Sequence, residues 1–284
     1  MAVHLPRKTV AIGAVKLSLQ DVATIYDRLA IQVSEQADRE IASLIKGAEQ
    51  SDEQFEQYKT NARERAFRIT VTLAGRDGQS LYGDDNTIFY SPNKPEKVDS
   101  IYITNITAYR GFVSTNPMNM FELNLDFSKP PLLDASNPVS APTRNVSNLV
   151  VQGDRESWVS TVSDAVTVIL QGRKTRRTWL HRAFAYDFGM MAFALPFSFY
   201  VCWKVAPLIS KYIGNIHDVL AGAAYVYVFF LMLNIYRILF GYAKWAFPSV
   251  ELSDNRDASG QHRAVLGVIV LGLIVDVIWQ IVHG

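Results

Sequence analysis

The chain has 284 residues, with 28 Lys and Arg against 27 Asp and Glu, for a formal charge of +1. That balance excludes a strongly basic nucleic-acid binder, so no nucleic acid is expected as a partner. The single cysteine, Cys202, excludes a disulfide framework and a cysteine-rich zinc site. Mean hydropathy is only +0.06, but the apolar residues crowd toward the carboxyl end, so the average hides two unlike halves.

Met1 to Thr9 carries Arg7 and Lys8 with no long apolar run behind them. No cleaved signal peptide is expected, and the amino-terminal half is expected to stay in the cytoplasm. Val10 to Lys16 can form one strand. Leu19 to Ile45 places Val22, Ile25, Tyr26, Leu29 and Val33 at helical spacing. Ser18 with Asp21 three residues on is the pattern of a helix start, and Gly47 can end that helix. Ser51 to Ala66 predicts a second, far more polar helix. Residues 1–66 are thus expected to be a strand and a helical pair.

From Phe67 the apolar period changes to two. Phe67, Ile69, Val71 and Leu73 alternate up to the turn Gly75-Arg76-Asp77-Gly78. Further strands are predicted at Ser80–Tyr82, Thr87–Tyr90, Ser100–Tyr109, Met120–Phe127 and Asn145–Gln152. Ser128 to Arg144, with Pro130, Pro131, Pro138 and Pro142, reads as a long connection or a binding loop. Asp154 is placed to cap a closing helix that carries Trp158, Val162, Val166 and Ile169. Residues 67–171 therefore predict an antiparallel β meander with a closing helix, and the fold class is α+β. Strands closed by a helix with an inward Trp resemble pleckstrin-homology-like barrels. The resemblance is one of element order over residues 67–171, and it implies a fold but no ligand.

Residues 172–187 are basic: Arg173, Lys174, Arg176, Arg177 and Arg182 stand close together. Such residues mark the cytoplasmic side of a membrane and attract anionic lipid headgroups, each by about 1 kcal/mol. The closing helix is expected to run through them into the first of three membrane spans.

The spans are predicted at residues 188–209, 219–240 and 264–282, each able to supply the roughly 20 residues that cross a core about 30 Å thick. Phe188 to Trp203 has no charge. Trp179, Phe184, Tyr186, Tyr242, Trp245 and Phe247 flank the first two spans, as interface aromatics do. The distribution of Lys and Arg places the amino terminus inside and the carboxyl terminus outside, so an integral protein of a bacterial inner membrane is expected. Charged or polar groups within spans need partners or a wet face. Lys204 and Asp276 fall at depths that differ by about 6 Å, close enough for a pair between helices or subunits. Asn234 and Arg237 are the other intramembrane polar residues, and Arg237 can snorkel.

The five histidines, His4, His181, His217, His262 and His283, have no metal-ligand spacing, and no phosphate loop, nucleophile elbow or dinucleotide fingerprint is present. No metal, cofactor or catalytic residue is expected, and the chain is not expected to be an enzyme. The leading expectation is a membrane effector or signalling subunit. Its cytoplasmic domain would sense a ligand or protein and control a small, homo-oligomeric helical domain, with pore formation as one output. This layout resembles that of bacterial immune effectors that join a sensor to a few spans. The alternatives are a non-conducting anchor or scaffold for a protein-binding domain, and a transporter subunit.

Overall fold

Ser18 starts the first long helix as its spacing predicts. Its side chain accepts from the Asp21 amide, while the Asp21 carboxylate accepts from the Ser18 amide at 2.9 Å. The computed structural model describes residues 5–132, 138–214, 218–255 and 259–283. These residues form two compact units, one from the described residues among 1–128, 145–175 and 250–257, the other from those among 129–144, 176–249 and 258–284.

The first unit is mixed α+β. β1 (Arg7–Ala11), β3 (Thr70–Gly75), β4 (Ser80–Gly83), β5 (Val98–Thr104), β6 (Met120–Asp126) and β7 (Asn148–Gln152) form one antiparallel sheet in the order β1-β7-β6-β5-β3-β4. Period-two alternation sends Val71, Leu73, Ile101, Ile103, Phe121, Leu123, Leu125, Leu149 and Val151 to one face, all at most 1 % exposed. α1 (Leu19–Ala42) and α4 (Glu156–Gly172) cover that face, with Ile25, Leu29, Trp158, Val162 and Val166 buried against it. The other face carries the half-exposed Tyr102, Glu122, Asn124, Asn148 and Val150. The sheet ends at β1 and β4 without closing, so the barrel expected from element order is replaced by an open sheet backed by helices.

Several predicted elements differ, each for a local reason. Val10 to Lys16 is not one strand: β1 ends at Ala11, and β2 (Val15–Leu17) belongs to a separate two-stranded sheet. The first helix stops at Ala42, before Gly47, with Ser43 as its cap. α2 (Asp52–Arg65) follows Ser51, whose capping box includes Gln54. Thr87 to Tyr90 is not a strand but part of a 3-10 turn, Asn86–Tyr90, because the Asp85 carboxylate accepts from the Thr87 amide at 2.8 Å. The strand expected through Tyr109 ends at Thr104. Asn105 turns its amide onto β6, accepting from the Phe121 N–H at 2.9 Å and donating to the Asn119 carbonyl at 2.8 Å, and α3 (Ile106–Val113) begins. Asp154 does not cap α4; the cap position is Arg155, while the Asp154 amide donates to the Asn119 side chain.

The closing helix does not run on through the basic stretch. α4 ends at Gly172, and the chain turns extended: Lys174 bridges to Val15, and the Thr175 amide donates to the Ala14 carbonyl at 2.9 Å. A 3-10 turn, Arg176–Trp179, follows.

The second unit is helical. α5 (Ala183–Gly189) and α6 (Leu195–Ile209), joined and followed by π-helical turns, make one helix, Ala183–Ile213. α7 (Asp218–Ala246) lies against it: Phe199 meets Phe229 at 5.2 Å between ring centres, and the Cys202 thiol donates to the Tyr225 carbonyl. These two helices are long and apolar enough to cross a membrane. The third expected span falls on α8 (Ser259–His283), but the side chains of residues 273, 274, 276–278 and 280–283 lie outside the described ones. Among the described residues, two such helices are shown, not three.

Gly189 sits where α5 meets α7. A Cβ there would overlap the Tyr236 hydroxyl, which donates to the Tyr186 carbonyl at 2.9 Å. Gly189→Ala is expected to destabilise the purified protein by about 1–3 kcal/mol through overpacking. Most of that loss should vanish in a Tyr236→Phe background, where the clashing oxygen is gone. A thermal-unfolding double-mutant cycle reads this coupling, and equal losses in both backgrounds would refute it.

Candidate functional site

Ser128 to Arg144 is where the structure departs furthest from the simple connection that was one expectation. In place of a free loop, the described part of this segment is a strap laid on the end of α7 within the second unit. Lys244 is only 5 % exposed, and its ammonium donates to the carbonyls of Val139 at 2.7 Å and Ala141 at 2.8 Å. Gly241 gives the strap room, since a Cβ there would press on the Leu132 carbonyl at 3.2 Å. Lys129 sits over the Trp245 ring at 4.1 Å.

His181 fastens the other end of the strap. Its Nε2 lies 2.8 Å from the Phe247 carbonyl and its Nδ1 2.8 Å from the Thr143 hydroxyl. A carbonyl only accepts, so Nε2 carries the proton and Nδ1 accepts from Thr143 in the neutral ring. Burial holds the His181 pKa below its ordinary value. The Phe247 carbonyl opposes this, while the charges of Lys244 and Arg177 add to it. The Thr143 amide also donates to the His181 carbonyl at 3.1 Å. Around the same end, the Tyr242 hydroxyl meets His262 Nδ1 at 2.6 Å, and Arg263 Nε donates to the Ala246 carbonyl at 2.8 Å.

Residues 250–255, expected as part of a loop between spans, complete the first unit instead. β8 (Val250–Leu252) pairs in parallel with β2. The Asp254 carboxylate accepts from the Leu19 amide at 2.6 Å, capping the first turn of α1 together with Ser18. The Asn255 side-chain amide pairs with the β5 backbone, its Oδ1 accepting from the Val98 amide at 3.0 Å and its Nδ2 donating to the Val98 carbonyl at 2.8 Å. We call residues 250–255 the clip.

The basic residues divide. Arg173 belongs to the first unit, where its guanidinium holds Asp21 at 2.8 and 3.0 Å. Burial raises the Asp21 carboxyl, but the Ser18 amide, Arg173 and the Ser18 hydroxyl outweigh it and leave its pKa below the usual value. Lys174, Arg176 and Arg182 are exposed, and Arg177 lies 5.7 Å from the Phe247 ring. Lys204 is exposed on α6 with its ammonium 5.0 Å from the Trp203 ring centre and 5.6 Å from that of Tyr200. Asn234 turns its amide onto its own helix, donating to the Phe230 carbonyl at 2.9 Å, and Arg237 is exposed. The Asp276 side chain lies outside the described ones, and the Lys204–Asp276 pair with it.

The first unit also holds an open cleft of about 510 Å³ where α3 rises over the half-exposed face of the sheet. Its floor is Tyr102 and Glu122, diagonal neighbours on β5 and β6, with the Tyr102 hydroxyl donating to Glu122 at 2.8 Å. Burial, then the bond to Glu122 and its charge, push the Tyr102 pKa up to about 12. Its wall is Ile106, Thr107, Arg110 and Gly111, one face of α3. Neither the strap lysine nor this cleft was singled out by sequence. In the sequence Lys244 counts toward the inside-positive charge and interrupts the aromatic run Phe240 to Phe247, and Arg110 and Glu122 come to line one cleft only through the turn at Asn105.

Among the described residues no group of three or more His, Cys, Asp or Glu is placed to hold a metal ion. No family model, curated protein or solved structure matches the chain.

Proposed function

We propose that this chain is an integral membrane protein whose α+β unit receives a ligand or partner and passes the change to a small helical membrane unit. Two features support the membrane placement. The most apolar stretches of the two long helices are only 17 % and 0 % buried within the protein. A core helix of a soluble protein would be buried, so these surfaces need another apolar solvent. In this reading α8 is a third span, the amino terminus is cytoplasmic, the carboxyl terminus is outside, and copies assemble in a bacterial inner membrane.

The observation that favours signalling over passive anchoring is how the chain passes between the units. It does so five times, and two of the linking segments, strap and clip, are held by hydrogen bonds rather than left as tethers. A movement of β6 and β7 pulls both ends of the strap, and a movement of α1 or β5 pulls the clip that follows α7. An anchor needs only one slack connection.

The test is dye release from liposomes containing the purified protein, with and without cell extract. Release that appears on adding extract and is lost on replacing Lys204 with an apolar residue supports the effector reading. No release in any condition sinks it and leaves a non-conducting anchor.

A further inference from the structure

The cleft beside α3 has features that a packing accident would lack. Its floor belongs to the half-exposed face of the sheet, opposite α1 and α4, and its wall is one side of a helix that starts because Asn105 ends β5. Two opposite charges face into it. Glu122 has one carboxylate oxygen engaged by Tyr102, which leaves the other to accept. Arg110 donates through Nε and Nη2 to the neutral amide oxygen of Asn116, at 3.0 and 2.7 Å, which fixes the guanidinium without cancelling its charge. Thr107 adds a hydroxyl, while Ile106 and the Tyr102 ring supply apolar wall. Gly111 leaves the space open, for a Cβ there would meet nothing within 4 Å. A volume of about 510 Å³ suits a small metabolite rather than a peptide helix or an ion.

From this geometry we infer that the cleft binds a small molecule bearing an anionic group, taken by Arg110, and a cationic or hydrogen-bond-donating group, taken by Glu122. Both contacts are charge-assisted and need no metal. The inference rests on the reading that the first unit receives a ligand, and it names that ligand's chemistry and place. A neutral or purely anionic compound would leave Glu122 facing nothing or a like charge, so the paired chemistry also sets selectivity.

Two sources supply such chemistry, and they form the two arms of the test: free amino acids, and the four ribonucleoside monophosphates. Each is added at millimolar concentration to the purified full-length protein while its thermal unfolding is followed. Members of one arm are expected to raise the unfolding temperature in a dose-dependent way. Arg110→Gln and Glu122→Gln should each weaken that binding by roughly tenfold or more. Gly111→Leu should do the same by filling the cleft, and since it removes a helical glycine whose Cβ position is open, it should fold at least as well as the parent. No shift in either arm, or a shift that survives all three substitutions, overturns the inference. Binding is read without any membrane response. Its failure therefore leaves the membrane reading standing, and a failure of dye release leaves the cleft standing.

Discussion

Lys244→Met is expected to release the strap and to speed its cleavage by added protease roughly 30-fold or more. The loss starts from two carbonyls, those of Val139 and Ala141, which are deprived of the Lys244 ammonium while the surrounding packing stays closed. A buried acceptor left without a donor costs about 1–3 kcal/mol, so two cost at least about 2 kcal/mol. That corresponds to a factor of about 30 in the population of the open form. Protease cleavage follows that population when opening and closing are fast. Cleavage within residues 138–144 is measured on the full-length protein, with Lys211→Met as the control at the far end of the helical hairpin. Equal rates for parent and Lys244→Met would show that the lysine holds nothing.

Acid should act on the same strap. The His181 pKa is lower in the folded protein than the value of about 6.5 expected when the strap is open. Protons therefore favour the open form. The contribution of His181 is intact above that pH and is lost as pH falls below it toward the folded-state value. The charged groups facing the ring, Lys244 and Arg177, both oppose protonation and reinforce the direction. Cleavage should rise between pH 7.5 and 5.5, and His181→Gln should flatten that rise.

Asn255→Ala is expected to have the largest effect in the first unit for a surface-loop substitution. It removes both bonds to Val98, one at each edge of that residue, at about 1 kcal/mol apiece. Asp254→Ala removes a charged cap from α1, for roughly 1 kcal/mol more. The two residues are adjacent in one segment, so the double substitution should cost less than the sum once the clip has already lifted. Denaturant unfolding followed by Trp158, which packs in the core of that unit, checks this. Additive losses would mean that each residue acts alone and that no clip exists as a unit.

Much of the first unit was legible because its cues are local. Ser18 and Asp21 sit three residues apart, and Val71, Leu73, Ile101, Ile103, Leu123 and Leu125 alternate without interruption. The departures occur where one polar side chain outbids the local pattern. Asp85 folds Thr87 to Tyr90 into a turn, and Asn105 takes the β6 backbone and ends β5 early. The residues that hold strap and clip were not legible, since their partners lie far away in sequence. Lys244 finds its carbonyls 105 and 103 positions back, and Asp254 its amide 235 positions back. A three-residue strand such as Val250–Leu252 is too short to show a period of its own. The long apolar helices stood out because their composition alone exceeds what a soluble helix of that length carries.

The parallel pairing of β2 with β8 also orders the protein's manufacture. β2 emerges from the ribosome before α1 is made, yet its partner strand is made only after α5, α6 and α7. Sheet and core can collapse early, but the first turn of α1 waits for Asp254, and β5 waits for Asn255. If the helical hairpin enters a membrane as it is made, the last stitches of the α+β unit can be placed only once both helices have been delivered. A chain whose hairpin goes astray would carry an unfinished domain with a frayed α1, the kind of exposed end that quality-control proteases cut first.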